Sequence, residues 1–208
     1  MRHDRILFIA AALLAGWATG DVATGEGTAG TVGIGFIQPA PGAIADVYGG
    51  AAAFQAGIET RVRRALVALE VGFHRSEATL DAPFFVDAPE GTLTAAPIDA
   101  AARLPLGGDA LWSPYIGAGF ELLWLRESFR YELAGESWES QTDGGFHPGG
   151  LFIVGVDRNR FPRIRLEGSY SYVPVHRMRS ALGSTYEEQD ASHANAGGYG
   201  IRVGWRLP

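Results

Sequence analysis

A histidine and a serine two residues apart, His74-Arg75-Ser76, form the pair in this 208-residue sequence best placed for catalysis. On an extended strand, residues i and i+2 point to the same face. His74 is therefore positioned to take the proton of Ser76, with Glu70 or Glu77 orienting the imidazole, as in an activated hydroxyl nucleophile. The same spacing also suits a polar strand end beside a loop, and the sequence favours that plainer reading because His74 is in phase with Glu70. No catalytic residue is assigned, and His74 and Ser76 stand as weak candidates. His193-Ala-Asn195 repeats the spacing but puts an amide where the nucleophile belongs.

Metal and phosphate chemistry find less support. The chain has no cysteine, which excludes disulfides, thiolate metal sites and a Cys nucleophile. His147, His176 and His193 fall in three different expected loops, so no metal site and no cofactor are predicted. Gly33-Ile-Gly35 and Gly117-Ala-Gly119 lie inside strands and precede no helix, unlike a phosphate-binding loop. With 17 basic against 23 acidic side chains the net charge is -6, which argues against a nucleic-acid partner. The acidic residues gather in expected loops: Glu77, Asp81, Asp87 and Glu90; Glu127, Glu132, Glu136, Glu139 and Asp143; Glu187, Glu188 and Asp190. Solvated loops account for them, and contact with divalent cations, lipopolysaccharide or a protein is the functional alternative.

The elements carrying these residues are strands. Residues 1–20 have a basic head with Arg2 and Arg5, an apolar run Ile6 to Ala15, and small residues at Ala18 and Gly20, the pattern of a cleaved secretory signal. The apolar run is shorter than the ~20 residues a membrane-crossing helix needs. Residues 21–208 then form one domain in which period two recurs. Five strands are clear, at 52–62, 65–74, 115–124, 163–172 and 198–207. Three more are expected at 31–37, 93–104 and 151–156; of these, 93–104 is Ala-rich, interrupted by Pro97, and needed mainly by the topology. Long connections (39–47, 75–91, 126–148, 175–193) alternate with short ones (63–64, 105–111, 157–162). That alternation is expected of an all-β, eight-stranded antiparallel up-and-down transmembrane barrel with longer loops on one side of a membrane.

Each strand has two unlike faces. One carries Trp124, Tyr170, Tyr172, Tyr199 and Trp205 near strand ends, where amphipathic rings suit a membrane–water interface. The other is Gly-rich and carries Glu59, Arg61, Glu70, Glu121, Arg163, Arg165, Glu167, Arg202 and Arg206. An eight-stranded barrel is just wide enough for side chains to fill it, and charges buried there must pair. The expectation is a lumen plugged by a Glu-Arg network, with the apolar face toward lipid.

Ser113-Pro-Tyr-Ile-Gly-Ala-Gly-Phe120 and the closing Gly198-Tyr-Gly-Ile-Arg-Val-Gly-Trp205, after an N-terminal export signal, resemble the eight-stranded bacterial outer-membrane barrels, the relatives of outer membrane proteins A, W and X and the opacity-type proteins. The resemblance implies a monomeric cell outer-membrane protein, inserted by the barrel-assembly machinery and surrounded by outer-membrane lipids and lipopolysaccharide. It implies a structural role in envelope integrity or a surface-loop interaction, without enzymatic activity. The alternatives are a narrow pore for small or hydrophobic molecules, as in the outer membrane protein W group, and a soluble exported barrel holding an apolar ligand. A further alternative is a hydrolase similar to the outer-membrane lipid A deacylases, to which Phe73-His74-Arg75-Ser76 would correspond.

Overall fold

The computed structural model describes residues 27–41, 43–79, 90–107, 111–133, 136–141, 145–158, 163–175 and 194–207. The expected signal segment lies outside these residues, as do 80–89 and 176–193, which hold much of the acidic loop sequence.

Eight strands run in meander order: β1 (Thr28–Pro39), β2 (Ala51–Val62), β3 (Ala65–Thr79), β4 (Glu90–Pro105), β5 (Trp112–Leu133), β7 (Gly145–Arg158), β8 (Ile164–Tyr172) and β11 (Gly198–Arg206). Each pairs antiparallel with its neighbour, β4 pairs with β5, and β1 pairs with β11 from Thr31 opposite Arg206 to Pro39 opposite Gly198. The sheet therefore closes on itself as a barrel with no free edge along its wall. The shortest of these strands, β8 and β11, have 9 residues each, within the ~9–11 a tilted strand uses to cross a bilayer. Both described ends of the chain and the tight β2–β3 turn lie at one end of the barrel. Arg63 adopts a left-handed conformation there, with φ 57°.

Three segments depart from the sequence expectation. The 126–148 connection is largely strand: β5 continues to Leu133 and forms a hairpin with β6 (Glu136–Gln141) that extends past the barrel rim. Its charged residues read as loop, yet inward and outward positions keep alternating through Phe129. The 93–104 strand is real and longer, from Glu90 to Pro105. Pro97 is accommodated because the β3–β4 ladder skips Gly72 and Phe73 opposite Ala96 and Pro97, where proline has no N–H to give. Gly72 is required at that point, since a Cβ would press on the Pro97 ring. The 39–47 connection contains a short helix, α1 (Ala43–Val47), and the two-residue strands β9 (Pro174–Val175) and β10 (Ala194–Asn195) pair near the same rim.

The two faces divide as the alternation predicts. Val32, Ile34, Phe36, Phe54, Leu69, Phe152 and Ile201 stand exposed on the outer wall, with Phe120 exposed at 79%. Glu59, Glu70, Asp99, Arg103, Arg165 and Glu167 are buried inside. A water-soluble chain reverses that distribution; an apolar outer wall over a charged interior is the division found in barrels that span lipid. The soluble-barrel alternative needed the Tyr170 and Trp205 face to point inward, and it points outward.

Candidate functional site

The lumen holds two stacked layers. The lower one centres on Arg103 of β4, whose side chain is completely buried. Its Nη2 donates to Glu70 Oε2 of β3 at 2.7 Å and its Nε to Glu167 Oε2 of β8 at 3.0 Å. Nη1 lies 3.7 Å from Glu59 Oε2 of β2. Tyr115 of β5 donates its hydroxyl to Glu167 Oε2 at 2.7 Å. Arg202 of β11 reaches Glu70 Oε2 at 2.9 Å and also pairs with Glu167. Arg165 grips Asp157 of β7 with two parallel hydrogen bonds, 2.7 and 2.9 Å, while its Nη2 stands 2.8 Å from Glu59. The Arg165 guanidinium also lies over the Tyr115 ring, 5.3 Å from its centre. Thr31 of β1 donates to Glu70 Oε1 at 3.3 Å. Every strand of the wall thus supplies a member of one cluster of ion pairs and hydrogen bonds, Glu59 of β2 joining it through ion pairs. The bidentate Arg-carboxylate geometry makes such contacts both strong and directional.

Space for these long side chains comes from glycine. A Cβ at Gly35 would strike Arg202, and one at Gly57 would strike Glu70 and the Leu69 carbonyl. At these two positions glycine leaves the room that Arg202, Glu70 and the adjacent strand's backbone occupy.

The upper layer is apolar. Leu93 and Ala95 of β4 and Leu123, Leu125 and Phe129 of β5 point inward and pack with Ile44 of α1, Tyr48, Val173 and Val175 of β9. The Tyr48 hydroxyl donates to Glu127 Oε1 at 2.6 Å. Glu127, expected in an acidic loop, is instead fully buried on the inner face of β5. Apolar side chains of the α1 turn and of β9 thus pack over the inner faces of β4 and β5 above the ionic layer.

Among the residues singled out from sequence, Glu59, Glu70, Arg165, Glu167, Arg202 and Arg206 meet in the ionic layer, with Arg206 Nε 3.4 Å from Glu59 Oε1. Glu121 also points inward, but it sits across from Asp99 in the β4–β5 register, and Asp99 accepts a 2.7 Å hydrogen bond from Gln55 Nε2. Arg61 and Arg163 share the inner face yet lie at the open lower mouth, exposed, because their strands end there. Sequence reasoning missed Arg103, Asp99, Asp157 and Tyr115 as network members. Arg103 and Asp99 lie on the Ala-rich strand, where the available signal was their shared parity with the buried Ala95 and Ala101.

Tyr170 and Tyr199 face each other across β8 and β11 with ring centres 5.0 Å apart, near the rim that also carries Tyr172. Trp205 marks the opposite end of the outer wall, as does Trp112. Trp124 is half-buried on the outer face of β5.

His74 and Ser76 both point into the lumen, Ser76 being buried, and among the described residues the His74 Nδ1 has no hydrogen-bond partner. Glu77 occupies the other face of β3, paired with Arg75 at 3.3 Å. Of the two carboxylates offered to orient the imidazole, Glu77 is thus across the sheet from it, while Glu70 shares the inner face but is held by Arg103 and Arg202. An acyl chain in the surrounding lipid would have to pass through the wall to reach Ser76.

No family model matches the chain, and no curated protein matches it. Solved structures do. Neisserial surface protein A is similar at 16% identity, over 86% of this chain and 95% of that one, with a TM-score of 0.49. The N-terminal β-barrel domain of Pseudomonas aeruginosa OprF is similar at 12% identity, over 88% and 100%, with a TM-score of 0.38. Ail, the attachment invasion locus protein of Yersinia pestis, is similar at 12% identity, over 88% and 100%, with a TM-score of 0.42. By its eight antiparallel strands, its β1–β11 closure and the opposite polarity of its two walls, the chain has the fold of the small outer-membrane β-barrels.

Proposed function

We propose that this protein is a structural barrel of the bacterial outer membrane, delivered by its N-terminal signal and sealed against passive flow. It serves envelope integrity or presents its rim loops to a partner. The observation that carries this reading is the filled lumen: an Arg103-centred ionic layer below and the Tyr48–Phe129 apolar layer above. A conduit would need a continuous polar path, and the apolar layer interrupts it. The inward, walled-off position of Ser76 supports a non-enzymatic role.

Planar-bilayer recording tests the reading. The refolded chain should give no steady single-channel conductance, while migrating differently on gels before and after boiling, as a closed barrel does. Sustained conductance whose ion selectivity changes in Glu121→Gln would favour the narrow-pore alternative instead.

A further inference from the structure

The lower mouth of the lumen, at the end holding both described chain ends, opens into a cavity of about 130 Å³. Its lining includes Arg61, Arg158, Arg163, Arg165, Arg202 and Arg206, against the carboxylates of Glu70 and Asp157. Three of these arginines are already committed: Arg165 to Asp157 and Glu59, Arg202 to Glu70 and Glu167, and Arg206 to Glu59. Arg61, Arg158 and Arg163 have no acidic partner among the described residues. Arg206 adds a second sign of an unmet need: among the described residues its buried Nε has no hydrogen-bond acceptor, despite the nearby Glu59.

An excess of cations over carboxylates, converging on a concave site with low-dielectric walls, concentrates anions there. Guanidinium groups match tetrahedral oxyanions because their N–H groups are arrayed to donate in pairs. The volume admits several waters or one small oxyanion. The ionic layer behind the mouth fixes Arg165, Arg202 and Arg206, so the site is partly pre-organised and only the rim arginines must order on binding.

We propose that this mouth is a binding site for a phosphate-class oxyanion, contacted by Arg61 and Arg163 at the rim and Arg206 deeper in. The site goes beyond the structural role proposed above and does not depend on it, since it needs only the folded barrel. The anion has two possible sources, a freely diffusing phosphate or the headgroup of a lipid in the adjacent leaflet.

The test uses the full refolded chain in an uncharged detergent at low ionic strength, with inorganic phosphate as the probe and titration calorimetry as the readout. Saturable one-to-one binding is expected, weakened at least tenfold in Arg61→Gln/Arg163→Gln and largely kept in Arg61→Lys/Arg163→Lys. Both rim residues are exposed, and a retained heat-dependent gel shift verifies folding of each variant. Absence of binding in the folded wild-type chain overturns the proposal. So does equal weakening by Arg63→Gln/Arg64→Gln in the neighbouring turn, which would mean a diffuse basic surface in place of a site. Repeating the titration in nanodiscs separates the sources. Phosphate binding retained in phosphatidylglycerol discs identifies a diffusing anion; binding seen in phosphatidylcholine discs but blocked in phosphatidylglycerol discs identifies a headgroup at the same arginines.

Discussion

Arg103 faces three carboxylates, Glu59, Glu70 and Glu167, from a position with no solvent. Bringing such charges out of water is costly, and their mutual attraction compensates only while each member keeps its partners. Removing the cation alone should therefore be far worse than removing an exposed one. Arg103→Ala should lower unfolding stability by about 3–5 kcal/mol, read from urea titrations in lipid vesicles. Arg61→Ala, at the exposed mouth, should stay within about 0.5 kcal/mol. Equal small losses for both would show that the central charges are hydrated and not acting as a cluster. At this scale the sequence disclosed which residues face inward but not which of them meet. Parity assigns Glu59 and Arg61 to one face without distinguishing a position deep in the lumen from one at its mouth. That distinction depends on where each strand ends and how neighbouring strands are staggered.

Strands were legible where one face differed chemically from the other, as in 163–172, where Arg165 and Glu167 alternate with Leu166 and Gly168. They were obscured where both faces are similar. In β4 the inner Ala95 and Ala101 and the outer Ala96 and Ala102 give no contrast, and the buried Arg103 was hidden in that stretch. The β5–β6 hairpin was obscured differently, because beyond the membrane both faces of a strand can be polar. The apolar layer has a third cause: Leu123, Leu125 and Phe129 face inward yet are apolar, since they meet α1 and β9 and not arginines. Packing inside the ionic layer also makes glycine irreplaceable at particular points. Gly57→Val should cost about 1–3 kcal/mol by overpacking and reduce the fraction showing a heat-dependent gel shift. Gly150→Val, where a Cβ meets nothing, should change stability by no more than about 0.5 kcal/mol.

For the molecule as a whole, the lipid-facing wall is the surface with most to lose from charge. Val154 lies outward on β7 opposite Ile116, between the Trp112 end and the tyrosine rim. Val154→Arg should destabilise the barrel by about 2–4 kcal/mol, the effect of a cation near the bilayer midplane. Vesicle-based urea titration would measure it, and an effect near zero would mean that this wall does not contact hydrocarbon. The seam between β1 and β11 has a consequence in time. It joins the first described strand to the last, with Thr31 opposite Arg206, so no partially synthesised chain can complete the wall. Until β11 emerges, both terminal strands offer unpaired N–H and C=O groups to any neighbour, the condition under which strands aggregate. Pairings so distant along the chain also form slowly. Folding in register thus calls for a holding step that keeps the finished chain extended and apart from its copies until all eight strands arrive together at the membrane.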